Sequence, residues 1–265
     1  MNGALDLGIT SFYLRRIARE PLGLLIFTVL PAAVAWVMSA VYTANTPGGG
    51  YLEGYNMVAT HLSIFMMLLF QLNSGIYLLE YLNRDLFGPM MWRLGVSPRS
   101  RHVFVFSAVA ACTVFTMLQG LLIIGFTGIV LDAYWGNLAV AALVVLMVSL
   151  VSQLLNMLLF LVTKTVSATE MISWIFAIAT AALGGLMFRL PDTPVFRFMS
   201  TYGTPFTLGQ SAIRFSGSLG SSAPGIWPGV TPGSEPSVLI GLAGLAAWSL
   251  ALAGGVVAVG RRKLS

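Results

Sequence analysis

Glu80–Arg101, EYLNRDLFGPMMWRLGVSPRSR, stands between two long uncharged runs and carries Arg84, Arg93, Arg99 and Arg101, four of the fourteen basic residues of the chain. Proline disfavours helix at the preceding residue and glycine admits unusual turns, so Gly88-Pro89 and Ser97-Pro98 punctuate the stretch. Between these marks Met90, Met91, Trp92, Leu94 and Val96 give a short apolar helical segment, too short to span a bilayer. Two readings stand side by side. Either the segment lies along the inner membrane surface and offers an apolar knob to a partner, or the loop is a solvated positive-inside connection whose arginines only set topology.

Beyond that stretch, composition fixes the class. Of 265 residues, 9% are charged and 57% hydrophobic, where a soluble domain has roughly 25% charged residues. Mean hydropathy is +0.86. Such a chain cannot keep a soluble surface and is expected to be an integral membrane protein. The single cysteine, Cys112, falls inside an apolar run, which excludes an internal disulfide framework and a cysteine-based zinc site. His61 and His102 are too few for a histidine-based metal cluster. The net charge of +5 sits mostly in short flanks of apolar runs, the membrane pattern, so no nucleic-acid partner is expected.

The spacing predicts an amphipathic helix over about residues 5–20, with Ile9, Phe12, Tyr13 and Ile17 on one side and Arg15, Arg16 and Arg19 snorkelling. The first span runs from Leu22 to about Thr43, with Pro21 at its start and Pro31 as a kink. Its length and its long, helical flank argue for a retained span rather than a signal peptide. A second span runs from about Asn56 to Glu80. The third, Val103 to Leu131, is long enough to require tilt. A tight turn then places Tyr134 and Trp135 at the aromatic belt, and the fourth span is Leu138 to Val162. Ser167 and Glu170 have capping-box spacing, so a fifth span starts there and reaches about Arg189. The sixth is Val238 to Gly260.

Lysine and arginine set the orientation. Eleven lie on the side of the N-terminus, the 80–101 loop, the 163–169 connection and the C-terminal tail, and three lie opposite, Arg189, Arg197 and Arg214. Both termini are therefore expected in the cytoplasm of a six-span protein in the cell (plasma or inner) membrane. The outer segment 190–236 begins half apolar, suggesting short helices dipping into the outer leaflet. It ends in a stretch, 216–236, with five Gly, five Ser and four Pro, the composition of a flexible excursion.

The spans carry almost no ionisable chemistry. No Asp, Glu, Lys or Arg occurs in 54–79, 103–131, 133–163 or 171–188. Ion-coupled carriers usually need such groups inside the membrane, and only His61 is available. The GxxxxGK[ST] phosphate loop is missing, so the chain is not expected to hydrolyse ATP by itself. The polar residues in the spans are Gln71, Asn73, Gln119, Gln153 and Asn156. They are either interhelical hydrogen-bond glue or the lining of a path for an amphipathic molecule. Ala243, Ala247, Ala251 and Gly255 give the sixth span a small-residue face for close approach.

These features resemble the membrane subunit (permease) of a type-2 ABC exporter, over nearly the whole chain. The amphipathic helix before a first span that begins at Pro21 is similar to the family's elbow helix. Asn83-Arg84-Asp85, Gly88 and Ser97-Pro98 resemble its acidic-Arg-acidic, Gly-Thr and Ser-Pro pattern after the second span, with Asn83 in place of an acidic residue and Pro89 in place of Thr. Leu190-Pro191 and the run from Tyr202 to Arg214 around Pro205 resemble its re-entrant helices. The resemblance implies one transmembrane domain over 1–265: an elbow helix in 1–20, a coupling loop in 81–102 and a re-entrant segment in 190–236. It also implies coupling to a separately encoded cytoplasmic ABC ATPase through Arg84, Asp85, Gly88, Pro89, Met91, Trp92 and Pro98. A second permease half, identical or a paralogue, would complete the path for a drug, antibiotic, lipid or glycan-lipid. No cofactor would be held by this chain, ATP and Mg being on the ATPase. Two other readings remain: a non-transporting membrane anchor or sensor that recruits a cytoplasmic partner through the same loop, and a membrane enzyme acting on lipid through Arg189, Asp192 and Arg197.

Overall fold

The structure, a computed structural model, describes residues 6–45, 51–52, 54–86, 88, 96, 101–185, 191, 193–216 and 238–264. It is built of helices, six of them long and apolar enough to cross a membrane: Pro21–Asn45, Met57–Asp85, Val103–Val130, Leu138–Thr163, Val166–Leu183 and Val238–Gly260. The chain is a multi-pass, all-α membrane protein. Expected and observed spans differ mainly at their ends.

Helix α1, Leu7–Ile17, opens on Asp6, whose carboxylate accepts from the amides of Gly8 (2.8 Å) and Ile9 (3.3 Å). These are two of the donors that a helix start leaves unpaired. Its buried residues, Thr10, Tyr13 and Ile17, recur every three or four positions and form one stripe. Helix α1 packs on α5 (Arg101–Val130), where Asp6 N donates to Ser107 Oγ at 3.2 Å.

Helix α2, Pro21–Asn45, contains a wide turn at Leu25–Val29, where the Leu30 amide reaches back five residues to the Leu25 carbonyl. Pro31 has no amide to give the Phe27 carbonyl, and the π turn lies immediately before it. The expected kink at Pro31 is therefore a local widening of the helix. After α2 a small hairpin forms from β1, Tyr51–Leu52, and β2, Tyr55–Asn56, turned at Gly54 with φ 86°. No strand is expected there from the sequence.

The second span is two helices, α3 (Met57–Asn73) and α4 (Ile76–Leu86), broken at Ser74-Gly75. A Cβ on Gly75 would overlap the Ser152 carbonyl and the Asn156 amide of the fourth span, α6 (Leu138–Thr163). Glycine at the break thus lets two backbones approach where a side chain would hold them apart. Helices α5 and α6 are joined by a tight turn with Asp132 and Gly136 at positive φ. Trp135 is buried there against the protein, its indole donating to Thr127 Oγ1 at 3.0 Å.

Helix α7, Val166–Leu183, starts at Thr165 without a side-chain cap, so the expected Ser167/Glu170 capping box is not its N-terminus. Thr163 and Thr169 pair their hydroxyls across the junction at 2.7 Å instead. The helix ends well before Arg189, at a turn through Gly184 and Gly185, the latter at φ 68°. Helix α8, Pro194–Tyr202, is largely exposed, whereas residues 205–214 of α9, Pro205–Phe215, are all buried. Thr204 and Thr207 form a capping box at the start of α9, which is wedged among α3, α6, α7 and the last helix, α10 (Val238–Leu264).

The second span is the most enclosed of the six, while the first, fifth and sixth show most of their surface outward. Two apolar cores result. One joins α3, α5, α6, α7, α9 and α10 around Leu68, Val144, Val148 and Phe206, and the other joins α1, α2, α4, α5 and α6 around Ile17, Tyr81 and Cys112.

Cysteine tags check the six-span topology. Tags at Thr46, Asn137 and Ser221 are expected to react with an impermeant maleimide from outside intact cells, and tags at Ser100 and Ser265 only after permeabilisation. Native Cys112 is buried and gives no background. Labelling of Ser100 in intact cells would overturn the arrangement.

Candidate functional site at the loop-bearing end of the bundle

The residues that precede the basic loop are held by the amphipathic helix. Asp85, near the C-terminus of α4, is 6% exposed, and Arg16 Nη1 of α1 approaches both its oxygens, at 2.9 Å to Oδ2 and 3.1 Å to Oδ1. Tyr13 donates its hydroxyl to Oδ2 at 3.1 Å. The Arg16 guanidinium also lies 4.6 Å from the centre of the Tyr81 ring, and the Tyr13 and Tyr81 rings meet edge to face at 5.9 Å. Burial first, and then the adjacent Asp85 charge, push the Tyr13 phenol well above its ordinary range, so it remains a protonated donor. A helix lying across the bundle is thus tied to the root of the loop by a charge pair, a phenol and an aromatic contact.

Removing one partner of a partly buried pair leaves the other desolvated, which costs on the order of 2 kcal/mol at this exposure. Asp85→Asn is expected to lower unfolding stability in detergent by about that amount, and combining it with Arg16→Gln to cost less than the sum of the two. Thermal unfolding of the four proteins of the cycle measures the coupling. Additive losses would show that the pair carries no energy.

The other expected coupling residues divide in two. Arg84 is exposed. Gly88 forms a bend where a Cβ would meet the Arg84 carbonyl oxygen at 2.5 Å, so the exit from α4 is shaped for glycine. Pro89, Met91, Trp92 and Pro98 lie outside the described residues.

The five polar span residues, put forward as either glue or path, are all buried inside the subunit. Gln71 Nε2 donates to the Thr116 carbonyl at 2.9 Å and to Ser149 Oγ. Asn73 Nδ2 donates to the Leu69 carbonyl at 3.2 Å, and Gln119 Nε2 to the Tyr77 hydroxyl at 3.1 Å. Asn156 Nδ2 donates to the Ser152 carbonyl at 3.0 Å, while Gln153 reaches the Ser74 carbonyl only at 3.4 Å. Gln71, Asn73, Gln153 and Asn156 gather with Ser149, Ser152 and Ser173 around the α3–α4 break. Gln119 stands apart, between α2 and α4. With exposures of 0–3%, none of the five offers surface to a cavity between two halves. They form a polar belt between the two apolar cores.

The belt gives a graded expectation. Gln71→Leu removes both bonds, while Ser149 keeps its bond to the Val145 carbonyl, so it is expected to cost about 1–2 kcal/mol in thermal unfolding. Gln153→Leu gives up one long bond and a buried Oε1 that has no partner, and is expected to cost less than half as much. Equal losses would contradict this assignment of the bonds.

No local sequence signal marks Arg16, Tyr13 and Tyr81 as partners of Asp85, or the place of Arg214. That arginine is buried at the end of α9, its guanidinium 5.7 Å from the Phe215 ring, and burial pulls its pKa down to about 9. Arg197 is exposed on α8, and Arg189 and Asp192 lie outside the described residues. Among the described residues no group of three or more His, Cys, Asp or Glu is placed to hold a metal ion.

The class these observations define is a six-span, all-α membrane protein with an amphipathic helix bound to the root of a basic loop. The chain matches no protein-family model, and no curated protein matches it either.

Proposed function

We propose that the chain is the membrane-spanning permease subunit of an ATP-driven exporter of the ABC-2 type, working with a second permease half and separate cytoplasmic ABC ATPases. The observation that carries the reading is the Arg16–Asp85–Tyr13 joint. It supports a loop whose displacement moves both α1 and the second span as one body, which a force-receiving element requires. The order of Asn83-Arg84-Asp85, Gly88 and Ser97-Pro98 after that span supports it as well. In this reading α1 is the elbow helix, 81–102 is the coupling loop, α8 and α9 are the re-entrant pair, and both termini are cytoplasmic. With the five polar residues committed to the belt, the path for an amphipathic substrate runs between the halves, along the outward faces of the first and fifth spans.

The burial of all five polar residues also favours a second reading, a non-transporting anchor that recruits a cytoplasmic partner through the same loop. Co-expression with an ABC ATPase encoded beside this chain tests the recruitment that both readings share. Recovery of the ATPase in stoichiometric amounts with the tagged chain from solubilised membranes is expected. Its recovery in the soluble fraction alone would remove both.

A further inference from the structure

We propose that the cleft at the opposite end of the bundle, between α2, the 51–56 hairpin and the turn after α5, binds a single-chain amphiphile with a cationic ammonium head. This inference does not depend on the transport reading, because it concerns binding alone.

The cleft has a volume of about 360 Å³, at the lower end of the roughly 300–1,000 Å³ of ligand cavities. Trp36 and Thr43 of α2, Tyr51 and Asn56 of the hairpin, and Leu131 and Asp132 of the turn line it. Its walls combine two aromatic rings, an apolar floor and one carboxylate.

Two of its polar side chains are already committed. Asn56 Nδ2 donates to Thr43 Oγ1 at 3.1 Å, and its Oδ1 accepts the Ala59 amide at 3.0 Å. The Asn56 amide donates to the Asp132 carbonyl at 3.0 Å, which fixes the turn where Asp132 sits at φ 52°. The Asp132 carboxylate is what remains to meet a ligand, since among the described residues no ion pair engages it. A site whose one charge among the described residues is negative repels anions. The Asn56 amide and the Thr43 hydroxyl already bond each other, which leaves a neutral sugar only the buried Ser39 hydroxyl and the Tyr51 phenol. A cation gains from the carboxylate and from the faces of Trp36 and Tyr51 together.

The ligand needs a tail for a separate reason. An ion pair at an exposed site contributes little alone, and Asp132 is exposed. Trp36 and Val130, each about half exposed at 54% and 52%, continue the cleft as apolar surface. An alkyl chain laid on them supplies the area that a bare ammonium lacks. The same ammonium occurs in the single-chain lysophosphatidylethanolamine and in free alkylammonium compounds.

The test uses the whole chain in dodecyl maltoside and reads fluorescence quenching by an ω-bromoalkyl-trimethylammonium. An ω-bromoalkyl alcohol of the same chain length serves as the neutral control. The six tryptophans emit together, so Trp36→Phe is subtracted to isolate Trp36. The ammonium probe is expected to half-saturate the Trp36 signal at about a tenfold lower concentration than the alcohol, an effect of the size that a cation–π contact and a charge pair give together. That preference should fall to about threefold, the cation–π share alone, in Asp132→Asn, which keeps the side-chain shape and tolerates the left-handed backbone, with size-exclusion and melting profiles confirming its fold. Displacement of the probe by added lysophosphatidylethanolamine identifies a lipid headgroup as the occupant, and failure to displace identifies a free amphiphile. Both outcomes support the site provided Asp132 is required. Equal half-saturation by ammonium and alcohol, or a preference unchanged in Asp132→Asn, would overturn it.

Discussion

On the proposed permease reading, Met91→Ala with Trp92→Ala is expected to leave the chain inserted and folded but to strip it of a co-expressed ABC ATPase during purification, or to leave the ATPase bound with transport uncoupled from hydrolysis. A separate ATPase acts only on what it touches. Hydrolysis in another subunit moves this chain only through contact, and the spans themselves offer little surface beyond the bilayer. On that reading the loop 81–102 supplies the contact. Arg84 is exposed within it, and the chain bends at Gly88 as it leaves the helix. Met91 and Trp92 would enter a groove as apolar anchors, and a buried anchor cut to alanine costs about 2 kcal/mol or more of binding, roughly thirtyfold in affinity. Expression level and size-exclusion profile serve as controls. Unchanged co-purification together with unchanged transport would remove the loop from its central place.

Gly75→Val should have the largest effect on folding. The break between α3 and α4 brings Gly75 against the backbone of Ser152, where its amide donates to Ser152 Oγ at 2.8 Å and Ser152 Oγ donates to the Leu72 carbonyl at 2.6 Å. These bonds re-pair groups that the interruption of a membrane helix would leave bare, where each costs several kcal/mol. A valine would push α6 away at its most buried stretch and break both bonds together, because the obstacle is backbone rather than a pliable side chain. The expected loss is about 3 kcal/mol or more, seen as a large fall in the detergent melting temperature and in membrane yield. Gly75→Ala should fall in between. A melting temperature within a few degrees of wild type for the valine variant would contradict the close approach at 75 and 152.

Some of this structure is plain in the sequence and some is not, for physical reasons. Six apolar runs of bilayer length announce six helices, because in hydrocarbon the backbone must satisfy itself within the segment. The stripe of Tyr13 and Ile17 is legible as periodicity. That Tyr13 and Arg16 turn towards Asp85 is not, since a pairing across 69 residues leaves no local mark. Arg16 reads as a snorkelling charge for the same reason. Ser74-Gly75 does offer a signal, a helix-weakening pair inside an apolar run, which a search for span boundaries passes over. The Ser167/Glu170 spacing misleads because Thr163 and Thr169 close the preceding turn first. The 51–56 hairpin is too short for alternation to show. On α9, Pro205 and the Thr204/Thr207 box mark a helix start, but its complete burial depends on neighbours from four other helices. The polar belt is legible as residue types and ambiguous as function, because glue and path use the same amides.

Whether this chain is the membrane half of an ATP-driven machine is decided by ATP hydrolysis. A candidate cytoplasmic ABC ATPase would be assayed alone and co-assembled with the chain in nanodiscs, with the Met91→Ala/Trp92→Ala chain as reference. The assembled complex is expected to hydrolyse ATP at a rate several-fold different from the free ATPase and responsive to added amphiphile, with both properties lost in the reference. An identical rate in the presence and absence of the chain, with no response to amphiphile, would contradict that role.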